Sequence, residues 1–278
     1  AGLRADGTVV VSARKDDPAK QAEQWTDIVS ISAMNHCLVG LKSDGTCVAV
    51  GDNEHGECDI GGWTNMEPLH EAGTGDTTMT IGLRADGTVA CTNSEYQQYI
   101  DVTCKELAPI AAVYGDWTSF VLLTEDGQLH GAGNNAWKQL PALANPEGRS
   151  VVDVSARNLV AVLWSDGTVQ GWGELGFDMR QLEGWSDITA ISGGNENLLG
   201  LRADGACEAF GKNDHGQCDV DDWTDMKSLT AGYYASYGVR KDGSVAAAGV
   251  ERFGMSYVEA KGPIELVQFW IDSLGWKE

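Results

Sequence analysis

The sequence predicts an all-β chain, a single seven-bladed β-propeller domain in which one blade is shared between the N- and C-termini. Three observations predict it. A two-residue turn signal recurs at a near-constant interval, that interval closes on itself across the chain ends, and the stretches between turns read as short apolar strands. Self-similarity at a period of this size is the signature of repeat architectures, in which each unit buries its apolar face only by stacking on its neighbours.

The turn signal is Asp-Gly, at Asp6-Gly7, Asp44-Gly45, Asp86-Gly87, Asp126-Gly127, Asp166-Gly167, Asp204-Gly205 and Asp242-Gly243. Successive turns lie 38 to 42 residues apart, and counting from Gly243 through Glu278 and round to Gly7 gives 42. A linear stack has no reason to close in this way, and a ring does. Asp-Gly flanked by apolar residues is a strong short-range hairpin signal, because glycine accepts the positive φ that a tight turn demands.

One repeat justifies the elements in order. Ile28 to Ser32 alternates, Cys37 to Leu41 is a short apolar run, and Cys47 to Gly51 is another. Asp52 to Gly56 reads as a loop, followed by a brief outer strand. Four short strands in about forty residues make a propeller blade. The blades are expected at 25–62, 63–104, 105–147, 148–184, 185–222 and 223–262, with 263–278 joined to 1–24. The shared blade would take Ile264 to Ile271 from one end and Gly2 to Val11 from the other. No helix of ten residues is predicted, and Asp17 to Gln24 is expected to make a short one.

Two further features keep step with the turns. Gly2, Gly40, Gly82, Gly200 and Gly238 stand five residues before the turn glycine, and Gly51, Gly133, Gly173, Gly211 and Gly249 six residues after it. A strand glycine marks a place where another backbone must come close, and crowding of blades toward a central axis is the expected cause. The phrases Trp25-Thr26-Asp27, Trp63-Thr64-Asn65, Trp185-Ser186-Asp187 and Trp223-Thr224-Asp225 precede apolar strands. Their Trp side chains are expected to pack between blades, and their Thr and Asp residues to form turns.

Composition bounds the function. The 278 residues carry a formal net charge of −22. Such a chain repels phosphate backbones and anionic lipid, so nucleic acid and membrane surfaces are not expected partners, and a basic or mixed protein is. No apolar run reaches membrane-spanning length, and a monomer is expected. The opening Ala1-Gly2-Leu3-Arg4 is neither an initiator Met nor a signal peptide, an expectation of processing or trimming. The seven cysteines are expected to act mainly as small buried apolar residues. A Cys47–Cys58 bridge inside one blade is conceivable, though off register for directly opposed strands. This cysteine usage favours a reducing compartment.

Segments such as Val39-Gly40-Leu41-Lys42-Ser43-Asp44-Gly45-Thr46, Val50-Gly51-Asp52-Asn53-Glu54-His55-Gly56-Glu57 and Phe210-Gly211-Lys212-Asn213-Asp214-His215-Gly216-Gln217 resemble the RCC1-like repeat family. The resemblance covers nearly the whole chain and implies a propeller of such repeats. It departs from the pattern at Asn93-Ser94-Glu95-Tyr96 and at Trp172-Gly173-Glu174-Leu175, where the Gly-x-Asn loop is lost. The eukaryotic member that activates a small GTPase needs basic chromatin contacts, which this acidic chain lacks. The sequence is more similar to bacterial members, which include a secreted inhibitor of β-lactamases. The resemblance therefore also allows secretion and favours protein binding, and it specifies fold far more than function, because one fold hosts many functions.

An up-and-down blade sends alternate turns to opposite rims. The Asp-Gly and Trp-Thr-Asp turns are expected to share one rim, uniform from blade to blade. The turns between first and second strands, and between third and fourth, would share the other, which varies in every blade. Its candidate partner-binding residues are Trp117, Trp137, Tyr233, Tyr234, Tyr96, Trp276, Asp116, His36, His55 and Glu54, an acidic face with the aromatic anchors typical of protein interfaces. Two alternatives compete. Trp117, Trp137 and Tyr96 would stack on sugar rings in a carbohydrate-binding propeller. Asp52, Glu54, Asp76 and Asp116 would supply channel carboxylates to a propeller enzyme. No nucleophile elbow, phosphate loop or dinucleotide fingerprint is present, and the calcium-loop spacing fails at Glu54 and Gly56. His55-x-x-Cys58 and His215-x-x-Cys218 lie about four blades apart and cannot converge on a metal. No catalytic residue, cofactor or metal is expected.

Overall fold

The structure is a computed structural model that describes residues 1–11, 16–33, 37–51, 53–54, 56–67, 80–92, 97, 100–101, 104, 107, 109–116, 119–133, 135, 140, 149–156, 159–173, 176–194, 196–232, 234–249 and 264–265. These residues form small antiparallel sheets and two short 3-10 segments, and Gln97, Ile100, Asp101 and Cys104 are α-helical. Five complete sheets share one plan of three strands in sequence order. They are Ile28–Ala33 with Cys37–Lys42 and Cys47–Gly51, Ile110–Asp116 with Ser119–Thr124 and Leu129–Gly133, and Val151–Ala156 with Val160–Trp164 and Val169–Trp172. Ile188–Gly193 with Asn197–Arg202 and Cys207–Gly211, and Met226–Ala231 with Ala235–Arg240 and Val245–Gly249, complete them. Ile81–Leu83 pairs with Val89–Cys91, and Met66 bridges to Arg84 at the place of a first strand.

The chain ends meet in one sheet. Gly2–Arg4 lies between Val9–Val10 and Ile264–Glu265, with Leu3 opposite Glu265 and Arg4 opposite Ile264. First strands of successive sheets pack on one another, as they must when blades converge on a common centre.

The second strand of each sheet is buried on both faces: Cys37 to Leu41, all of Val160–Trp164, and Asn197 to Leu201. Neighbouring sheets cover it from both sides, so it reads as an unbroken apolar run instead of an alternation. The first strands start with a bulge at one fixed place. Register shifts between Ile28 and Ser30, Ile110 and Ala112, Val151 and Asp153, Ile188 and Ala190, and Met226 and Ser228. The extra residue is pushed outward, which is why Val29 and Val152 stand 53% exposed.

The core is a series of clusters between sheets. One joins Cys37, Val39, Leu41 and Ile60 of one repeat to Trp63, Met66 and Ala90 of the next. Another joins Leu159, Ala161, Leu163 and Leu182 to Trp185, Ile188 and Phe210. The Trp residues are thus inter-repeat anchors, as expected. A Cβ on Gly211 or Gly249 would collide with a backbone carbonyl, the close backbone approach expected of a strand glycine, but the glycines five residues before the turn have a different reason. A Cβ on Gly40 would lie 2.9 Å from the Trp25 ring, and one on Gly200 2.6 Å from the Trp185 ring. The glycine makes room for the indole at the head of its own repeat, not for crowding at an axis.

A second correction concerns the outer strand. Among the described residues each complete sheet has three strands, not four. The outer position is taken by a turn or by a 3-10 segment, Pro18–Gln24 or Met179–Gly184. Asp17 and Asp178 cap these segments by accepting from the N–H groups of Ala19 and Arg180. The first was expected from the sequence and the second was not.

Candidate functional site

The two rims follow different rules. On the first, the Oδ1 of each Asp-Gly aspartate accepts the backbone N–H two residues on, at 2.8 to 3.4 Å. Each turn glycine has a φ between 78° and 89°. Asp27, Asn65, Asp187 and Asp225 also sit in the left-handed region, at 55° to 62°, where Asn and Asp are the side-chain-bearing residues tolerated best. The turns are stitched together through their backbones. Ile28 donates to the Gly7 carbonyl at 3.1 Å, Met226 to Gly205 at 3.0 Å, Ser43 to Asp27 at 2.9 Å and Lys241 to Asp225 at 2.8 Å. Asp-Gly and Trp-Thr-Asp turns therefore share a rim, and their carboxylates are committed to turn geometry. Thr hydroxyls hold Asp6, Asp44, Asp86 and Asp166 below the ordinary carboxylate range.

The opposite rim is built around one asparagine per loop. Asn53 Oδ1 accepts from the Cys58 N–H at 2.7 Å, and its Nδ2 donates to Asp59 at 2.8 Å. Asn213 repeats both bonds with Cys218 and Asp219, each at 2.8 Å, and Asn135 holds Leu140 in the same way. Where the asparagine is absent, Gln97 turns its amide onto the strand edge. It accepts from Cys91 N–H at 2.6 Å and donates to the Val89 carbonyl at 3.0 Å. These amides are loop braces that satisfy the backbone groups a fourth strand would have paired.

Loops of this rim touch within and between repeats. Lys212, after the third strand, donates from Nζ to Glu196 Oε2 at 2.6 Å, and Asp214 Oδ2 lies 3.8 Å from the same nitrogen. His215 meets Tyr234 of the next repeat edge to face, with ring centroids 4.7 Å apart. Thr80 Oγ1 donates to the Glu57 carbonyl of the preceding repeat at 2.7 Å. The first-to-second and post-third turns thus share one rim and form a continuous edge across these repeats.

Of the candidate partner-binding residues, Glu54 is exposed and Tyr234 is half-buried on His215. Asp116 ends the strand Ile110–Asp116. Trp117, Trp137, Tyr233, Tyr96, Trp276, His36 and His55 lie outside the described residues, as do Asp52 and Asp76 of the channel-carboxylate reading. The sequence already assigns Glu196 and His215 to turns of this rim without choosing them as binding residues, and only Lys212, beside Gly211, was missed. Among the described residues no group of three or more His, Cys, Asp or Glu side chains is placed to hold a metal. No helix there is long and apolar enough to cross a membrane.

The thiols correct the conceivable Cys47–Cys58 pairing. Cys58 Sγ lies 2.8 Å from Cys37 Sγ. Burial pushes the Cys47, Cys207 and Cys218 thiols up to about 11, 12 and 11, so all three stay protonated at neutral pH.

No family model matches the chain, and no curated protein is similar to it in sequence. Solved structures are similar in fold. The ectodomain of the Arabidopsis thaliana receptor kinase ACR4, described as a CRINKLY WD40 ectodomain, aligns with a TM-score of 0.58 at 14% identity, over 80% of this chain and 79% of that one. The entire ectodomain of the Physcomitrella patens receptor kinase CR4 aligns at 0.49 and 21% identity, over 62% of this chain. The match spans 49%, about half, of that ectodomain's length. Prp20p from Saccharomyces cerevisiae, studied for its binding to Gsp1p and histones, aligns at 0.45 and 15% identity, over 90% of this chain and 65% of that one. The repeat motif, the succession of small antiparallel sheets and the ACR4 likeness converge on one architecture: the chain has an RCC1-like propeller fold.

Proposed function

We propose that the chain is a non-catalytic protein-binding module, a ring of seven blades that engages its partner through the variable rim. The blades run over 25–62, 63–104, 105–147, 148–184, 185–222 and 223–262, with 263–278 completing 1–24. The observation that carries the reading is the division of labour between rims. One rim spends its repeated carboxylates on turns and on stitching successive repeats. The other keeps its braces on asparagine and leaves remaining loop positions to differ, among them Glu196, Lys212 and Tyr234. The printed description of Prp20p, a protein that binds Gsp1p and histones, is in keeping with a protein partner. A net charge of −22 favours a basic or mixed surface on that partner.

The test is a binding measurement with alanine at Tyr234, His215, Glu54, Trp117 and Trp137, each variant first shown to be folded. A partner isolated from the native source is expected to lose about tenfold or more in affinity with two or more of these, and to keep it when Thr46 or Thr88 on the other rim is replaced. Unchanged affinity across all five rim variants overturns the reading.

A further inference from the structure

Repeat 25–62 holds a pair of thiols at the cluster that joins it to the next repeat. Cys37 opens the strand Cys37–Lys42, directly after the turn between first and second strands, and is buried. Cys58 closes the loop after the third strand and is half-exposed. Each belongs to a different rim loop of one blade. Their sulfurs lie 2.8 Å apart, closer than unbonded sulfurs pack, and a bond requires them to approach by less than about 1 Å. The backbone around Cys58 is already fixed, by Asn53 Oδ1 on its own N–H and by Thr80 Oγ1 on the carbonyl of Glu57. The loop needs no rearrangement to deliver the sulfur.

The repeat 160 positions on provides the contrast. There Asn197 occupies the place of Cys37 and Cys218 the place of Cys58. Without a thiol opposite, Cys218 Sγ turns to the carbonyls of Lys212 and Phe210, at 3.2 and 3.8 Å. Cys218 at this loop position has backbone acceptors, and Cys58 at the same position faces a second thiol.

We infer that Cys37 and Cys58 are an oxidisable dithiol that closes into a disulfide and staples together the two rim loops of repeat 25–62. The oxidant is a small-molecule disulfide. Half-exposed Cys58 gives up its proton and attacks one sulfur of the oxidant, forming a mixed disulfide and releasing one thiol. Cys37 gives up its proton and attacks the Cys58 sulfur, closing the bond and releasing the second thiol. Two protein thiols and one oxidant disulfide yield one protein disulfide and two small thiols. The contact with the Cys58 thiol and, second, burial push the Cys37 thiol well up, so closure quickens as pH rises. The staple stands whether or not the rim binds a partner.

The experiment incubates the full chain with oxidised glutathione from pH 7 to 9, blocks free thiols, and maps peptides without reduction. The expected product is a Cys37–Cys58 cross-linked peptide with the other five cysteines blocked, accompanied by a Tm rise of about 5 °C that dithiothreitol reverses. Cys37→Ser should stop at a glutathione adduct on Cys58. If that variant fails to fold, the peptide map of the unaltered chain still decides. A map showing no cross-link at pH 9, or one joining Cys58 to Cys47, overturns the inference.

Discussion

Repeats 25–62 and 185–222 are the same blade written twice, and their differences separate scaffold from rim. Position for position they share Trp25 and Trp185, Gly40 and Gly200, Cys47 and Cys207, Asn53 and Asn213, and His55 and His215. The shared residues are those whose geometry the fold dictates: an indole, the glycine that makes room for it, and the amide that braces the loop. Residues that differ occur on both rims and in the core, Thr46 against Ala206 and Val50 against Phe210 among them, and the changes of charge and chemistry include the variable-rim loops. Glu196 and Lys212 replace His36 and Asp52, which reverses the placement of charge on the two loops. Cys37 becomes Asn197. Repetition fixes the indole, its glycine and the loop amide, and the substitutions around them distinguish one blade from the other.

The largest expected effect tests the shared part. Trp185 is buried and spans two repeats, so Trp185→Ala should cost about 3–5 kcal/mol in urea unfolding. Trp25 is half-buried, and Trp25→Ala should cost less. Gly200→Val should be as harmful as the loss of Trp185, because its Cβ meets the ring at 2.6 Å, and it should be nearly silent in the Trp185→Ala background. A full cost in that background would mean that the glycine serves something other than the indole. The same comparison explains what was legible. The Trp and Gly columns were visible at their fixed offsets from the Asp-Gly turns, but an offset does not say what fills the space. That Gly40 lies under Trp25 depends on the register of Cys37–Lys42 against Ile28–Ala33.

A smaller effect tests the difference. Asn197 is fully buried, and neither amide atom has a hydrogen-bond partner among the described residues. An unsatisfied buried amide costs about 1–3 kcal/mol. Asn197→Cys should therefore stabilise the reduced chain by about 1 kcal/mol in a denaturant midpoint. With oxidised glutathione it should add a second cross-link, to Cys218. The reciprocal Cys37→Asn should destabilise and leave Cys58 without its thiol partner. A stabilised Cys37→Asn chain would show that the amide finds a partner in this pocket.

Sequence reading placed the seven turns, the strands beside them and the pairing of the chain ends. It misjudged the blade's outer edge for a physical reason. The brief outer strand was read from a few apolar residues, Cys58 and Ile60 among them, but Asn53 satisfies the backbone there first, leaving a turn. The bulges at Val29 and Val152 were hidden because one inserted residue leaves the local apolar pattern intact. On the rim, Glu54 and Tyr234 were legible as loop residues, whereas the contact of Tyr234 with His215 joins consecutive repeats and is set by how blades stack. The Cys37–Cys58 contact was missed for a related reason. Twenty residues separate the two cysteines along the chain, and only the folded loop brings them together.

Backbone sign provides a further test on the structural rim. Asp187 has a φ of 59°. Asp187→Gly should be near neutral or slightly stabilising, and Asp187→Val should destabilise by about 1–2 kcal/mol, since a β-branched residue pays the left-handed penalty in full. Equal effects of the two substitutions would remove the conformational argument for the Trp-Thr-Asp turns.

The smallest effect concerns a single hydroxyl. Thr46 donates from Oγ1 to Asp44 at 2.6 Å, while the matching residue in the other repeat is Ala206, which offers Asp204 only its backbone N–H at 2.9 Å. The Thr46 hydroxyl, with its N–H second, holds the Asp44 carboxyl below the ordinary range. A carboxylate with a depressed folded pKa contributes stability that is present above the unfolded pKa, 3.8 for this group, and is lost as pH falls through the folded value. The Asp44 contribution is therefore present at neutral pH and disappears on the acid side of that range. Thr46→Ala should raise its titration midpoint toward the ordinary value, seen by carboxyl NMR, and move acid unfolding to higher pH by a small step while leaving neutral-pH stability within about 0.5 kcal/mol. The effect is small because the carboxylate is fully exposed and water screens it. An unmoved Asp44 midpoint would assign the depression to the backbone N–H that both repeats retain.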